Sequence, residues 1–323
     1  MTPIFYTIAA IATLALTLHA NTGWAQAYPN RPVKIVVPYP AGQGTDVAAR
    51  YLAQQLAKQI GQNVIVENRA GAAGNIGAQY VAKSPADGYT LLMGTNATHA
   101  AAPFLFVNPG FDPDADFDPV ALTGILPMAI VTTPGNPIDS VQKLAEAARA
   151  KPDTINVAVT TTTSRSTLEM FRQQARAPLF AVLYKGSAQS VADLIGGQVE
   201  FMVDTVASVR GQITSGRLKA LAITSLASSE LLPGVKSVHE QGIAQFEIAG
   251  WNTLYAPKGA PPEALRLLAA ELTRIMAQPE TRERFLALGI DPQIQTGAEL
   301  AAFLRSEREK WGKLIRAMGI KAE

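Results

Sequence analysis

The sequence predicts an α/β fold built in two parts. Short Val/Ile-rich runs alternate with helical patterns along the chain, as in domains with helices packed on a parallel sheet. The alternation restarts after the acidic loop Asp112-Pro113-Asp114-Ala115-Asp116. At about 150 residues per domain, a chain of 323 residues is long enough for two domains with sizeable cores.

The elements follow in order. Val33–Val37 is a short apolar run that stops at Pro38-Tyr39-Pro40-Ala41-Gly42-Gln43-Gly44, the form of a buried parallel strand and its loop. Thr45-Asp46 are read as the cap of a helix that carries Ala48, Tyr51, Leu52 and Leu56 on one face and stops at Gly61. Strand 64–66, a helix from Gly74 to Lys83 and strand 90–93 complete the first part. In the second part, strands are expected at 125–131, 155–159, 180–183, 199–203 and 218–223. The helices between them are expected at 140–150, 187–195 and 206–215. A strand at 251–256 precedes three amphipathic helices, 262–277, 279–288 and 298–318.

Composition excludes several functions. There is no cysteine, so disulfides, Cys-ligated metal, thiol nucleophiles and Cys-linked lipid are ruled out. With 28 basic and 26 acidic residues there is no excess charge of the kind nucleic acid requires. Gly42-x-Gly44 matches part of the dinucleotide fingerprint, but Val47 replaces its third glycine and Glu67 is only loosely placed as its acidic partner. No phosphate-binding P-loop and no G-x-S-x-G elbow occurs. His99 is read as structural, Asp114 and Asp116 as solvated loop charges, and Trp251 and Trp311 as packing residues. No cofactor or metal is expected.

The N-terminus accounts for part of the positive mean hydropathy of +0.11. Ile4–Leu18 is apolar but short for a membrane span, and Ala25-Gln26-Ala27 has a small-x-small cleavage pattern before Tyr28. Residues 1–27 are therefore read as a secretory signal cut near Ala27, although the n-region lacks Lys and Arg.

Four strand-to-helix loops are rich in Gly, Ser, Thr and Asp: 42–46, 160–164, 185–187 and 204–205. In open α/β sheets ligands sit at the carboxyl ends of strands, where helix N-termini offer free N–H groups and a positive dipole end. Such loops hold anions without much formal charge. Thr45, Asp46, Ser187 and Asp204 are equally compatible with simple helix capping.

One stretch, Tyr28-Pro29-x-Arg31-Pro32 followed by Ile35-Val36-Val37-Pro38-Tyr39-Pro40-Ala41-Gly42-x-Gly44-Thr45-Asp46, resembles a known family. It continues in Val66-Glu67-Asn68-Arg69-x-Gly71, Gly74-Asn75-Ile76-Gly77, Asp87-Gly88-Tyr89-Thr90 through Gly94-Thr95, Tyr184-Lys185-Gly186-Ser187, Asp193-Leu194-Ile195-Gly196-Gly197-Gln198 and Gly216-Arg217-Leu218. The combination is similar to the extracytoplasmic solute receptors of tripartite tricarboxylate transporters, the Bug family. The resemblance implies a type II periplasmic binding protein-like fold, with two α/β lobes, a twice-crossed hinge and a ligand cleft between them. Lobe 1 is then expected at 28–127 plus 253–323, and lobe 2 at 128–252.

It also implies a non-enzymatic, monomeric periplasmic protein. Such a protein captures a small organic acid and passes it to integral membrane transporter subunits. The acid is left open among carboxylates, dicarboxylates, amino acids and aromatic acids. A sensing receptor for a membrane kinase is the alternative, and a secreted enzyme ranks below it. The candidate ligand-binding residues are Tyr39, Ala41, Gly42, Gly44, Thr45, Asp46, Thr95, Thr162, Thr163, Ser164, Arg165, Lys185, Gly186, Ser187 and Asp204. Asp46 and Asp204 are expected to cap or orient. Thr160–Arg165 departs from the family by replacing glycines with Thr and Ser, and Arg165 is a candidate bidentate grip on a second carboxylate.

Overall fold

A computed structural model describes residues 28–319; the expected secretory signal lies outside them. Its sheet runs in the order β2 (Val64–Asn68), β1 (Val33–Val37), β3 (Thr90–Thr95), β9 (Ala249–Pro257), β4 (Phe117–Thr132), β7 (Phe201–Thr205), β5 (Asn156–Val159) and β6 (Phe180–Leu183), with β8 (Lys219–Ile223) and β10 (Asp291–Gln295) also pairing with β4. In the first lobe β1 (Val33–Val37) lies parallel to β2 (Val64–Asn68) and β3 (Thr90–Thr95). In the second, β5 (Asn156–Val159) lies parallel to β6 (Phe180–Leu183) and β7 (Phe201–Thr205). Two long strands join these groups: β4 (Phe117–Thr132) and β9 (Ala249–Pro257). They run antiparallel to each other and to their neighbours, so the sheets are mixed where the sequence pattern suggested parallel ones.

The strand expected at 125–131 is thus only part of β4. Asp118-Pro119 hid its first half, because proline removes a ladder donor. Pro119 sits at a register irregularity, and Asp118 accepts from Lys258 Nζ and Gly259 N, both at 2.8 Å. β4 pairs with β9 as far as Pro127, then with β7 and β8 (Lys219–Ile223) from Met128 onward. Beside this change of partner, Thr224 Oγ1 accepts from Met128 N at 2.9 Å and donates to Ile248 O at 2.6 Å. One hydroxyl thereby ties both chain crossings together. β10 (Asp291–Gln295), which had no sequence signal, adds to β4.

The helices follow the strands: α1 (Gly44–Ile60), α2 (Asn75–Ala82), α3 (Ala102–Leu105), α4 (Val141–Ala150), α5 (Thr162–Gln174), α6 (Ser187–Ile195) and α7 (Val206–Thr214). α8 (Pro262–Met276), α9 (Pro279–Ala287) and α10 (Gly297–Met318) close the chain. α1 begins ahead of Thr45-Asp46, so neither is its N-cap; that position is Gln43. α1 ends at Gly61, whose φ of 66° is left-handed, a backbone state glycine adopts without a Cβ clash. α5 begins at Thr162, so the expected loop 160–165 is a cap followed by the first helical turn.

The core contains Trp251, Trp311, Tyr255, Phe117, Phe171 and Phe201, all essentially buried. His99 belongs to it. Its ring stacks on Tyr255 at 3.8 Å, on a π-helical turn (Ala97–Ala101) that leads into α3. Burial, with the nearby Arg308 charge, pushes its pKa down to about 3, so it is a neutral packing residue. Asp114 pairs with Arg308, while Asp112 and Asp116 accept from backbone N–H groups of the turn. Glu67 is held by Lys34 at 2.6 Å and by Arg69 at 2.5 Å, far from any dinucleotide role.

Candidate functional site

Four helices begin where the two lobes face each other: α1, α5, α6 and α7. Each follows the carboxyl end of a parallel strand, β1, β5, β6 and β7 respectively. An α-helix leaves its first N–H groups without intrahelical acceptors. At α5, Thr161 Oγ1 accepts from Ser164 N, and at α7, Thr205 Oγ1 accepts from Ser208 N. At α1 and α6 the N-cap residues, Gln43 and Gly186, supply no side-chain cap.

Asp204, at the end of β7, ties three of these junctions together. Its Oδ2 accepts from Thr160 Oγ1 at 2.9 Å and Ser187 Oγ at 2.7 Å, and its Oδ1 from Thr205 N at 2.7 Å. The residue is fully buried. Burial raises its pKa, and these hydrogen bonds oppose the rise. Asp46 has a similar part in the other lobe. Its carboxylate accepts from Gly42 N at 2.9 Å, Arg50 Nε at 2.9 Å and Asn68 Nδ2 at 2.8 Å. Burial acts against its charge, but these donors outweigh it and hold the pKa below its usual value. Asn68 also donates to Tyr39 O at 3.0 Å, so Asp46 and Asn68 set the path of the 38–44 loop.

Two adjoining cavities lie between the lobes. The inner one, about 30 Å³, is walled by Tyr39, Gln43, Gly44, Thr45, Thr95, Asn96, Leu126, Thr161, Thr163, Asp204, Thr205, Ser208 and Gly250–Asn252. The outer one, about 680 Å³, is walled by residues 38–40, Gln43, 70–74, Val159–Thr162, Arg165 and Leu183–Lys185. Tyr39, Gln43 and Thr161 face both. Tyr39 shares a hydrogen bond with Thr95 Oγ1 at 2.8 Å, and burial pushes its pKa up to about 12. On the outer wall Ala72 and Ala73 hold left-handed φ values of 46° and 55°, a strained state for alanine.

The lobes touch closely around the inner cavity. Asn96 Nδ2 donates across to Thr163 Oγ1 at 2.8 Å, both side chains being buried. Gly44 admits the opposite lobe. A Cβ there would stand 2.8 Å from Thr205 Oγ1 and 3.2 Å from Ala207 Cβ across the cleft, and 2.7 Å from Leu126 Cδ2 on the crossing strand β4.

Among the sequence candidates, Tyr39, Gly44, Thr45, Thr95, Thr163 and Asp204 face the inner cavity. Tyr39, Thr162, Arg165 and Lys185 face the outer one. The remainder line neither cavity. Ala41 and Gly42 are exposed on the loop. Asp46 is turned to Arg50 and Asn68. Ser164 Oγ accepts from Thr160 N and Thr161 N, both at 2.9 Å. Gly186 is the cap position of α6, and Ser187 bonds to Asp204. Sequence reasoning missed Gln43, Asn96 and Asn252. A bulky amide between two loop glycines, and an Asn inside an apolar strand, were the available signals. Trp251, read as packing, is also part of the inner wall.

Residues 48–320 match the model of the tripartite tricarboxylate transporter family receptor. The chain is 36% identical to protein BugT of Bordetella pertussis, over 97% of this chain and 95% of that protein. Its structure is similar to that of R. palustris Rpa4515 with adipate, with a TM-score of 0.89 and 31% identity over 92% of this chain and 100% of that one. It is also similar to the periplasmic binding protein BugD, with a TM-score of 0.85 and 34% identity over 92% and 100%. What these matches name is a solute-binding receptor rather than an enzyme. The chain belongs to the tripartite tricarboxylate transporter receptor family.

Proposed function

We propose that this protein is a periplasmic receptor that closes its lobes over a small organic acid and delivers it to integral membrane transporter subunits. The observation that carries this is the pair of helices, α1 and α6, that start at the cleft without a side-chain cap. A ligand carboxylate at such a terminus accepts the free N–H groups and meets the positive end of the dipole. Arg165 and Lys185 on the outer wall add positive charge on the approach to that site. The adipate with Rpa4515 supports a carboxylate as the ligand class. Closure excludes water and strengthens each polar contact. The change of partner along β4 between Pro127 and Met128 supports a hinge there.

The test is to denature purified protein, identify any released metabolite, and then screen mono- and dicarboxylates, amino acids and aromatic acids by thermal shift. A ligand at a hundred times its Kd adds about 2.7 kcal/mol to native stability. Absence of any shift across the panel, with no released acid, overturns the reading. Uptake of labelled acid into membrane vesicles carrying the transporter subunits tests delivery. The N-terminal residue of protein from a periplasmic extract tests export, with Tyr28 expected.

A further inference from the structure

The inner cavity holds two side chains that the rest of the protein leaves unsatisfied. Gln43 is 4% exposed and Asn252 is fully buried. Among the described residues, neither the nitrogen nor the oxygen of either amide has a hydrogen-bond partner. Both amides face the same chamber of about 30 Å³, room for about two water-sized groups.

A primary amide is satisfied only by a neighbour that accepts from its NH₂ and donates to its C=O. An ionised carboxylate accepts and cannot donate. In this chamber it serves the two NH₂ groups and leaves both amide oxygens dry, which is costly for buried acceptors. The wall's one charged side chain among the described residues, Asp204, is also an acceptor. It favours a donor in the chamber and disfavours a second negative charge.

We infer that Gln43 and Asn252 are specificity-determining residues. They select acids whose inner end both donates and accepts, a hydroxyl beside the carboxylate or a carboxamide, over plain dicarboxylates. This rests on the organic-acid reading above and narrows it. Gln43 also faces the outer cavity, so it meets the ligand where the inner group joins the remainder of the molecule.

The experiment is isothermal titration of the intact protein with the C4, C5 and C6 dicarboxylates, each beside its 2-hydroxy derivative and its mono-amide. At the length that fits, the hydroxy acid or the mono-amide is expected to bind at least about tenfold tighter than the plain dicarboxylate. Gln43→Leu keeps the bulk and removes both hydrogen-bonding atoms. It is expected to weaken the hydroxy acid or mono-amide more than the plain dicarboxylate, shrinking that ratio to within about twofold. Should Gln43→Leu fold poorly by circular dichroism, Asn252→Leu and the wild-type ratios carry the test. Plain dicarboxylates binding as tightly as their derivatives, or an equal preference in wild type and variant, overturns this inference and leaves the acid-receptor reading standing. An absence of binding by all nine compounds counts against the acid-receptor reading itself, and this inference falls with it.

Discussion

Trp251, on the strand that crosses between the lobes, donates its indole N–H to Glu307 Oε2 on the C-terminal helix at 3.0 Å. Trp311 donates to the same oxygen at 3.2 Å. A side chain in the cavity wall is thereby fixed from behind by the last helix of the chain. Glu307→Leu leaves two buried indole donors without an acceptor, at about 1–3 kcal/mol each. The expected result is a lower urea midpoint at unchanged slope, with Glu307→Gln affected less because it keeps one acceptor oxygen. A midpoint equal to wild type in Glu307→Leu contradicts the assignment.

Gly44 controls how closely the lobes approach. In Gly44→Ala the new Cβ meets Thr205 and Ala207 across the cleft at 2.8 and 3.2 Å, and Leu126 on the crossing strand β4 at 2.7 Å. The variant is expected to stay folded, with a wider cleft by small-angle scattering and at least about tenfold weaker ligand binding, equal to 1.4 kcal/mol. Wild-type affinity with unchanged scattering argues that the contact does not matter.

Across the same cleft, Thr163→Val keeps the shape and removes the acceptor of Asn96. A neutral hydrogen bond contributes about 1 kcal/mol, so affinity is expected to fall about fivefold. Because the bond joins the lobes in their close approach, the loss is expected in ligand release, read by stopped-flow, with association little changed.

His99 gives the stability a pH dependence. Its folded pKa is about 3, against an ordinary 6.5. Below 6.5 the unfolded chain takes up a proton that the native chain refuses until about 3. The stability it contributes is therefore full above 6.5 and declines as pH falls through that window. His99→Phe, which cannot titrate, is expected to lose less stability than wild type between pH 7 and pH 4.5 in urea melts. Parallel losses would assign the acid sensitivity to carboxylates instead.

Local pattern made much of the fold legible. Val33–Val37, the Gly61 stop of α1 and the helices after β1, β2, β6 and β7 are written in short-range periodicity and turn chemistry. The parts hidden from it depend on distant partners. β4 looked half its length because Asp118-Pro119 reads as a break until Lys258 and Gly259 satisfy Asp118. In the cleft, Thr45, Thr163 and Arg165 were visible because they follow loop signals. Asn96 was not, since an Asn just past a strand end reads as ordinary turn chemistry, and the polar Asn252 within apolar β9 marks a buried amide without saying what it faces. Ser164 and Ser187 show another limit: their loop chemistry is as expected, but Ser164's hydroxyl serves its own loop and Ser187's donates to Asp204 on a neighbouring one.

The position of β9 between β3 and β4 has a consequence for biosynthesis. A chain made only as far as Ala244 contains β1–β4 but not the strand that joins β3 to β4. The edge of β3 that β9 covers then stays unpaired, and an open edge of that kind is a site for wrong pairing. β3 and β4 are joined only once residues 249–257 have been made, after strands β5–β8 of the second lobe.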